Sequence, residues 1–377
     1  MTDSIDKLAA QYFQLVELQN LALPPGPVLI QPAVQAALYE RMFNENAVFP
    51  IPPDSYRSRV LKQIISRIEE SITNPEEDVC LLTCFNPFVF HFCFFPLNFL
   101  SFPFLSHEIN DDLMESWSTL VSQPKPSALQ QAQQLSLVKY TAPTSNAGIS
   151  PERTVTTSES RGLILSAGTT GNRTWEAALH LGSFLASETG EALVRGKRVI
   201  ELGAGTGFLS LVCARHLGLR SVVVTDREPA LIDNIRDCIK HNLQGRESIP
   251  IYPAVWEWGT PLVREGDLAG LGPDEGEEGT GLRFDVALGA DLIYDTDLVP
   301  LLLSTVRDLF ENYHIKEFII AATLRNEDTF RTFLNACETN SFDVETLPFE
   351  STSSEDQTGF FHSTSIPIRT YRISRTK

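Results

Sequence analysis

Cysteine is scarce in this chain and nowhere arranged for chemistry. Cys80, Cys84, Cys93, Cys213, Cys238 and Cys337 are six among 377 residues, form no CxxC pair and have no histidine cluster at zinc-ligand spacing. A disulfide framework and a zinc finger are excluded, and free thiols in a reducing compartment are expected. Basic charge is also short, with 30 Lys and Arg against 48 Asp and Glu and a net charge of −18. A sequence-independent nucleic-acid binder needs the opposite sign to displace phosphate counterions. The start, Met1-Thr2-Asp3-Ser4-Ile5-Asp6, lacks the basic-then-apolar order of a signal peptide, so the expected location is cytoplasmic. No internal repeat is evident. What is present, 42% hydrophobic and 21% charged residues, suits a packed core and a chain long enough for two domains.

Residues 1–78 read as an α-helical N-terminal region. Apolar residues recur at helical spacing from Ser4 to Leu18, from Val34 to Phe43, and from Ser55 to Ile72, where Val60, Leu61, Ile64, Ile65 and Ile68 share one stripe. A Pro-rich break at Pro24–Pro32 separates the first two. None of these residues calls for a chemical role.

Residues 79–109 differ from everything around them. Nine of the 23 phenylalanines fall here, and nothing from Cys80 to His107 carries a formal charge with His neutral. The length would span a membrane, but Pro87, Pro96 and Pro103 would each remove a helix hydrogen bond. Phe, Leu, Ser and Pro are products of pyrimidine-rich codons, and Val79-Cys80 can be encoded by a GT-starting splice donor. The reading that fits best is a translated, unspliced intron, with a membrane anchor as the alternative.

Residues 110–160 read as a helix followed by a Ser/Thr/Pro/Gln-rich linker holding one short helix, Ala128–Val138. Over 161–377 the texture becomes alternating strands and helices. Strands are expected at Arg198–Leu202, Ser221–Asp226, Ile249–Val255, Phe284–Asp291, Glu317–Thr323, Phe342–Leu347 and Ile366–Ile373. Helices are expected at Leu209–Leu217, Ala230–Asn242, Leu298–Asn312 and Asp328–Thr339. Such alternation implies an α/β fold with a parallel sheet covered on both faces. The Gly- and acid-rich stretch between Arg264 and Gly281 reads as a solvated insertion.

Chemistry is concentrated in Val199-Ile-Glu-Leu-Gly-Ala-Gly-Thr-Gly-Phe-Leu-Ser-Leu. Gly203, Gly205 and Gly207 lie between a β-run and an apolar helix, where bare backbone approaches a ligand and a helix N-terminus offers free N–H groups. A dinucleotide fingerprint asks for a small sixth residue. Counted from Gly203 that position is Phe208; counted from Gly205 it is Ser210, which leaves Gly203 unexplained. Glu201, just before the first glycine, suits a ligand bearing an ammonium and a sulfonium better than a pyrophosphate. Asp226 closes the second strand where a carboxylate can accept both ribose hydroxyls. Together these favour S-adenosylmethionine over NAD.

The run Glu201-Leu-Gly-Ala-Gly-Thr-Gly resembles motif I of the class I, seven-β-strand methyltransferases. Gly171-Asn-Arg-Thr-Trp-Glu-Ala-Ala-Leu-His-Leu is similar to the G-x-x-x-W-x-A-A-x-x-L segment of family 16 protein-lysine methyltransferases. Trp258-Gly259 resembles that family's L-x-W-G, with Trp256 standing in place of the Leu, and Ala290-Asp-Leu-Ile-Tyr matches its D-x-x-Y signature. The N-terminal helices and Arg173-Thr-Trp-Glu-Ala-Ala most resemble the eukaryotic elongation factor 2 lysine methyltransferases within the family.

The resemblance implies a seven-stranded Rossmann-like methyltransferase sheet flanked by helices, S-adenosylmethionine as cofactor and no metal. It implies that Gly203, Ala204 and Gly205 cradle the methionine and ribose, and that Asp226 holds the ribose hydroxyls. Trp258 would pack near adenine, and Trp175 and Ala290 would line the methionine end alongside Glu201. Asp291 and Tyr294 would stand at the transfer site, aligning a neutral amine and guiding its proton away. His180 and His216 sit on helix faces and read as surface or core residues rather than bases. The expected partner is a protein, elongation factor 2, met by a monomer with no direct nucleic-acid or membrane contact. A small-molecule methyltransferase and a non-catalytic cofactor-binding module are the alternatives.

Overall fold

A computed structural model describes residues 2–72, 108–124, 126–127, 130, 134–143, 152–160, 162, 169–243, 245–263, 265–266, 268, 271 and 281–376. They form two compact units, one of residues 1–12 and 17–125 and one of residues 13–16 and 126–377. Almost all of the Phe-rich segment lies outside the described residues, so its two readings find no answer in the fold. Among the described residues no helix is long and apolar enough to cross a membrane.

The first unit is helical: α1 (Thr2–Phe13), α2 (Gly26–Leu29), α3 (Pro32–Leu38), α4 (Asp54–Ile72) and α5 (Asp111–Ser122). Its core is the stripe expected on α4, Val60, Leu61, Ile64, Ile65 and Ile68, with Leu8 and Tyr12 of α1, Leu38 of α3 and Leu113 of α5, all buried. Arg57 is buried and paired, at 2.5 Å to Glu45 and 3.1 Å to Asp54. A buried cation needs such partners.

The second unit opens with an antiparallel ribbon, β1 (Ser136–Thr141) and β2 (Thr154–Glu159). This corrects the linker reading: Ser136–Val138 is strand rather than the end of a helix. Thr154-Val-Thr-Thr-Ser-Glu is β-branched and alternating, a strand composition that its Ser/Thr content disguised as linker. Next come α6 (Glu176–Leu185), α7 (Glu188–Val194), β3 (Arg198–Leu202), α8 (Phe208–His216), β4 (Ser221–Asp226), α9 (Pro229–His241) and β5 (Ile251–Val255). They are followed by β6 (Val286–Ala290), α10 (Val299–Glu311), β7 (Glu317–Thr323), α11 (Glu327–Thr339), β8 (Phe342–Thr346) and β9 (Ile368–Arg375).

Seven strands form one sheet in the order β5-β4-β3-β6-β7-β9-β8, parallel from β5 to β7, with β9 antiparallel to both β7 and β8. The strands expected from sequence are all present, with ends shifted by at most a few residues. Side chains alternate between faces. Val199, Val222, Val224 and Ile319 join one core with α6, α8, α9 and the β1–β2 ribbon, while Ile200, Val223, Phe318 and Ile320 join another with α10 and α11. Strands buried on both faces read as unbroken apolar runs, which is why Arg198–Leu202 and Ser221–Asp226 were legible. From β3 the chain proceeds to β4 and β5 on one side, then crosses to β6 on the other. A crevice beyond the carboxyl ends of β3 and β6, at this reversal, is where such sheets take ligands.

Candidate active site

All ten residues singled out from sequence line one cavity of about 620 Å³ at that reversal. Small-molecule sites run from about 300 to 1,000 Å³. The floor is the turn between β3 and α8, where Gly203, Gly205 and Gly207 have φ of 59°, 54° and 75°. All three are also hemmed in, Gly207 by Ile235, whose Cγ1 would lie 3.0 Å from an added Cβ. A Cβ on Gly203 would stand 2.7 Å from Leu292 Cδ2 and 3.3 Å from Trp258 Cζ2, and one on Gly205 would stand 3.0 Å from the Gly171 carbonyl oxygen. The glycine spacing therefore serves both backbone conformation and close approach.

The carboxylates under this floor hold the turn. Asp226 Oδ2 accepts the Gly205 N–H at 3.0 Å and Oδ1 accepts the Glu228 N–H at 3.2 Å, and burial raises its pKa from the ordinary aspartate value. A carboxylate has about four lone-pair sites, so acceptor capacity is left for another donor. Ala204 donates its N–H to Thr225 O at 2.9 Å, and Thr225 Oγ1 donates to Glu201 O at 2.6 Å. Glu201 is buried, and its Oε2 accepts the Ser210 N–H at 2.9 Å and the Ser210 hydroxyl, on the first turn of α8. Burial pushes its pKa up to about 7. Glu201 thus braces a helix N-terminus, an acceptor role that the sequence did not announce.

Trp258 lies on the adjacent wall, with Gly259 beyond it donating its N–H to Thr305 Oγ1 at 2.9 Å. Trp256 also touches the cavity, yet it is 3% exposed, belongs to the core and donates its indole N–H to Thr260 O at 2.9 Å. Trp256 is therefore a core residue.

At the other end β6 delivers Ala290 and Asp291. Asp291 has φ of 56°, unusual for a residue with a side chain. Its Oδ1 accepts the Thr323 N–H at 3.2 Å and its Oδ2 accepts Arg325 Nη1 at 2.8 Å. Arg325 donates its Nη2 to Glu176 Oε2 at 3.1 Å, and its guanidinium lies 5.6 Å from the Trp175 ring, with that of Arg173 at 5.2 Å. Trp175 is fixed by its indole N–H, donated to Thr170 O at 3.1 Å. Tyr294 is 62% exposed, and its charged neighbours are Arg227, Asp226 and Asp295. Asp291 and Tyr294 share the cavity, but no hydrogen bond joins them: one faces β7 and the other β4.

Sequence reasoning missed Arg325 and Glu176, although Glu176 stands inside the quoted Trp-Glu-Ala-Ala run. It also missed a polar chain behind the floor. Glu159, at 0% exposure, accepts Tyr140 OH, Thr157 Oγ1 and Thr174 Oγ1, each at 2.7 Å, and the Thr174 N–H at 3.3 Å. Thr174 Oγ1 lies 2.7 Å from Thr206 Oγ1 within the glycine run. Nothing local in Thr-Thr-Ser-Glu marks Glu159, because its donors, Tyr140, Thr157 and Thr174, come from three separate places in the chain. His180 and His216 are packing residues: burial lowers both to about 4, and neither lines this cavity.

The cavity fits S-adenosylmethionine on its own features: a floor with no room for a Cβ, a carboxylate with spare acceptor capacity, an aromatic wall, and both charge signs at the far end. Residues 164–340 match the family model described as "Lysine methyltransferase". The chain is 37% identical over 97% of its length, and 96% of the relative's, to Protein-lysine N-methyltransferase EFM3 of Chaetomium thermophilum. It is 29% identical to the protein of the same name in Saccharomyces cerevisiae, over 61% of this chain and 63% of that one. With human Protein-lysine N-methyltransferase EEF2KMT it shares 27% identity, over 48% of this chain and 53% of the relative. The chain belongs to the lysine methyltransferase family and is an S-adenosylmethionine-dependent protein-lysine methyltransferase.

Proposed function

We propose that this enzyme methylates a lysine side chain of elongation factor 2, with Asp291 and Tyr294 at the transfer site. The observation that carries the reading is the single cavity that holds both the glycine floor with Asp226 and, at its other end, Asp291. Elongation factor 2 is supported by the resemblance of the Arg173-Thr-Trp-Glu-Ala-Ala segment and by the relatives just named. That substrate sets the reaction in the cytoplasm, and one chain carries every group required, so a monomer suffices.

When bound, the cofactor supplies an electrophilic methyl group on a sulfonium. Gly203, Ala204, Gly205 and Asp226 would hold its ribose and methionine, Trp258 its adenine, and Trp175, Glu201 and Ala290 its amino-acid end. The substrate amine must reach it neutral, since an ammonium has no lone pair and a free lysine has a pKa near 10.4. Asp291 faces an incoming ammonium with Oδ2, which Arg325 now occupies, while Thr323 fixes Oδ1. Exchange of one cation for another on that oxygen aligns the amine and gives its proton an acceptor. Exposed Tyr294 offers a phenol on the opposite side of the mouth.

The test is transfer of labelled methyl into a ribosome-depleted lysate from a strain lacking the gene. One labelled band at the mass of a large translation factor, absent with Asp291→Asn, is expected. Label confined to small molecules would overturn the protein substrate, and a labelled protein other than elongation factor 2 would overturn the partner.

A further inference from the structure

The chain from Glu159 to Thr206 has a fixed direction, and that direction reaches the cofactor cavity. A carboxylate receiving four donors only accepts. Thr174 has one hydroxyl proton, and it goes to Glu159 at 2.7 Å. In the 2.7 Å contact between Thr174 and Thr206, Thr174 must therefore accept and Thr206 must donate. Thr206 is 2% exposed and lines the cavity; with its proton spent inward, its hydroxyl oxygen is left with acceptor character alone. A free threonine would present either character; here a buried acid two residues away in the chain of bonds removes the choice.

We propose that Thr206 is an acceptor for the α-ammonium of the cofactor's methionine moiety, and that Glu159 is the positioning residue that keeps it one. This rests on the cofactor reading above and adds to it a selectivity: the cavity favours a donor at that end over a second acceptor. Glu201 is the competing candidate, since its Oε1 makes no hydrogen bond while Oε2 is held by Ser210. The two are separable because Glu201 is not part of the Glu159 chain.

The discriminating ligands are S-adenosylhomocysteine, which carries the amino-acid end, and 5′-methylthioadenosine, which lacks it. Their affinities for the full chain are measured by calorimetry. Binding of both to the wild type is the precondition, and binding of neither would count against the cofactor reading itself. Thr206→Val is expected to weaken S-adenosylhomocysteine by about tenfold or more, the scale of a hydrogen bond to a charged group, with methylthioadenosine within about twofold. Thr206→Ser, which retains the hydroxyl, should restore the loss. Glu159→Gln supplies donors to Thr174 and lets the chain reverse, so it should reproduce the selective loss while thermal unfolding of Thr206→Val and Thr206→Ser stays matched. Equal weakening of both ligands by Thr206→Val would reduce Thr206 to a structural residue. Unchanged affinity for S-adenosylhomocysteine would leave the ammonium to Glu201 and overturn the proposal.

Discussion

The two ends of the cavity use acidic residues in opposite ways. Under the glycine floor, both oxygens of Asp226 and one of Glu201 accept the protein's own N–H groups, those of Gly205, Glu228 and Ser210. Those bonds tie loop to loop and leave the floor set before any ligand arrives. At the β6–β7 end, Asp291 shares one oxygen with the Thr323 N–H and gives the other to Arg325, whose side chain is 40% exposed. Partly exposed ion pairs are weak, so this contact is one a substrate can exchange. On the function proposed above, preorganisation belongs to the cofactor end and exchange to the transfer end, and each should be open to disturbance without the other.

The sharpest way to separate them is Asp291→Asn. The amide keeps the shape and the Thr323 contact but loses the charge and the proton acceptor. The expected result is a fall in kcat of about 10²–10⁴, with S-adenosylhomocysteine affinity within about twofold. A parallel loss of affinity would show that the ends are coupled. Gly205→Ala makes the reverse cut. An alanine there must hold φ near 54° with its Cβ 3.0 Å from the Gly171 carbonyl oxygen. Left-handed backbone alone costs a side-chain residue roughly 1–2 kcal/mol. Cofactor affinity should fall about 10–100-fold by calorimetry, and saturating cofactor should restore most of the turnover.

What could be read from sequence follows the same division. The floor is local: Glu201, the three glycines and Asp226 lie on consecutive strands and turns, where buried apolar runs end in residues that only a ligand site or a tight turn requires. The sheet was legible for the same reason. The helices of the first unit declared themselves through periodicity, as at Val60, Ile64 and Ile68. Two things were not legible. Arg325 lies in a loop after β7, and nothing in Thr-Leu-Arg-Asn marks one cation among 30 as the partner of Asp291 and Glu176. Glu159 sits in a segment of linker-like composition, and its importance comes from donors on β1, β2 and the approach to α6. Contacts assembled across the chain leave no periodic trace.

Arg325→Gln tests the transfer end more gently. Without the guanidinium, Asp291 keeps its charge and its Thr323 contact but loses a fixed orientation for Oδ2. A fall in kcat/KM for the protein substrate of about 5–20-fold is expected, because Oδ2 then awaits the incoming cation unaligned, with cofactor affinity unchanged. Arg325→Lys should recover only part of it, since an ammonium cannot bridge Asp291 and Glu176 with a planar fork. Loss of activity as large as that of Asp291→Asn would mean that Arg325 itself meets the reacting groups.

The smallest expected effects lie in the acid–base behaviour of folding, where two buried groups, Glu201 under the floor and His180 on α6 outside the cavity, should tilt stability in opposite directions. Glu201, bracing the floor, holds its proton to about pH 7 because it is buried, whereas in the unfolded chain it releases the proton near 4.5. The folded state therefore loses stability as pH rises between those values. His180 lies on α6 one turn beyond Glu176, with its Nδ1 2.7 Å from Ser351 Oγ; burial, aided by His362, depresses it to about 4. The unfolded chain takes up this proton near 6.5, so stability is lost as pH falls from about 6.5 towards 4. Each slope is at most about 1.4 kcal/mol per pH unit. Urea unfolding at pH 5, 6 and 7 should show Glu201→Gln gaining on the wild type as pH rises and His180→Gln gaining as it falls. His216, also depressed to about 4, is present in both variants and cancels from the difference. Slopes of the same sign would mean that one of these buried groups is ionised differently from what its surroundings dictate.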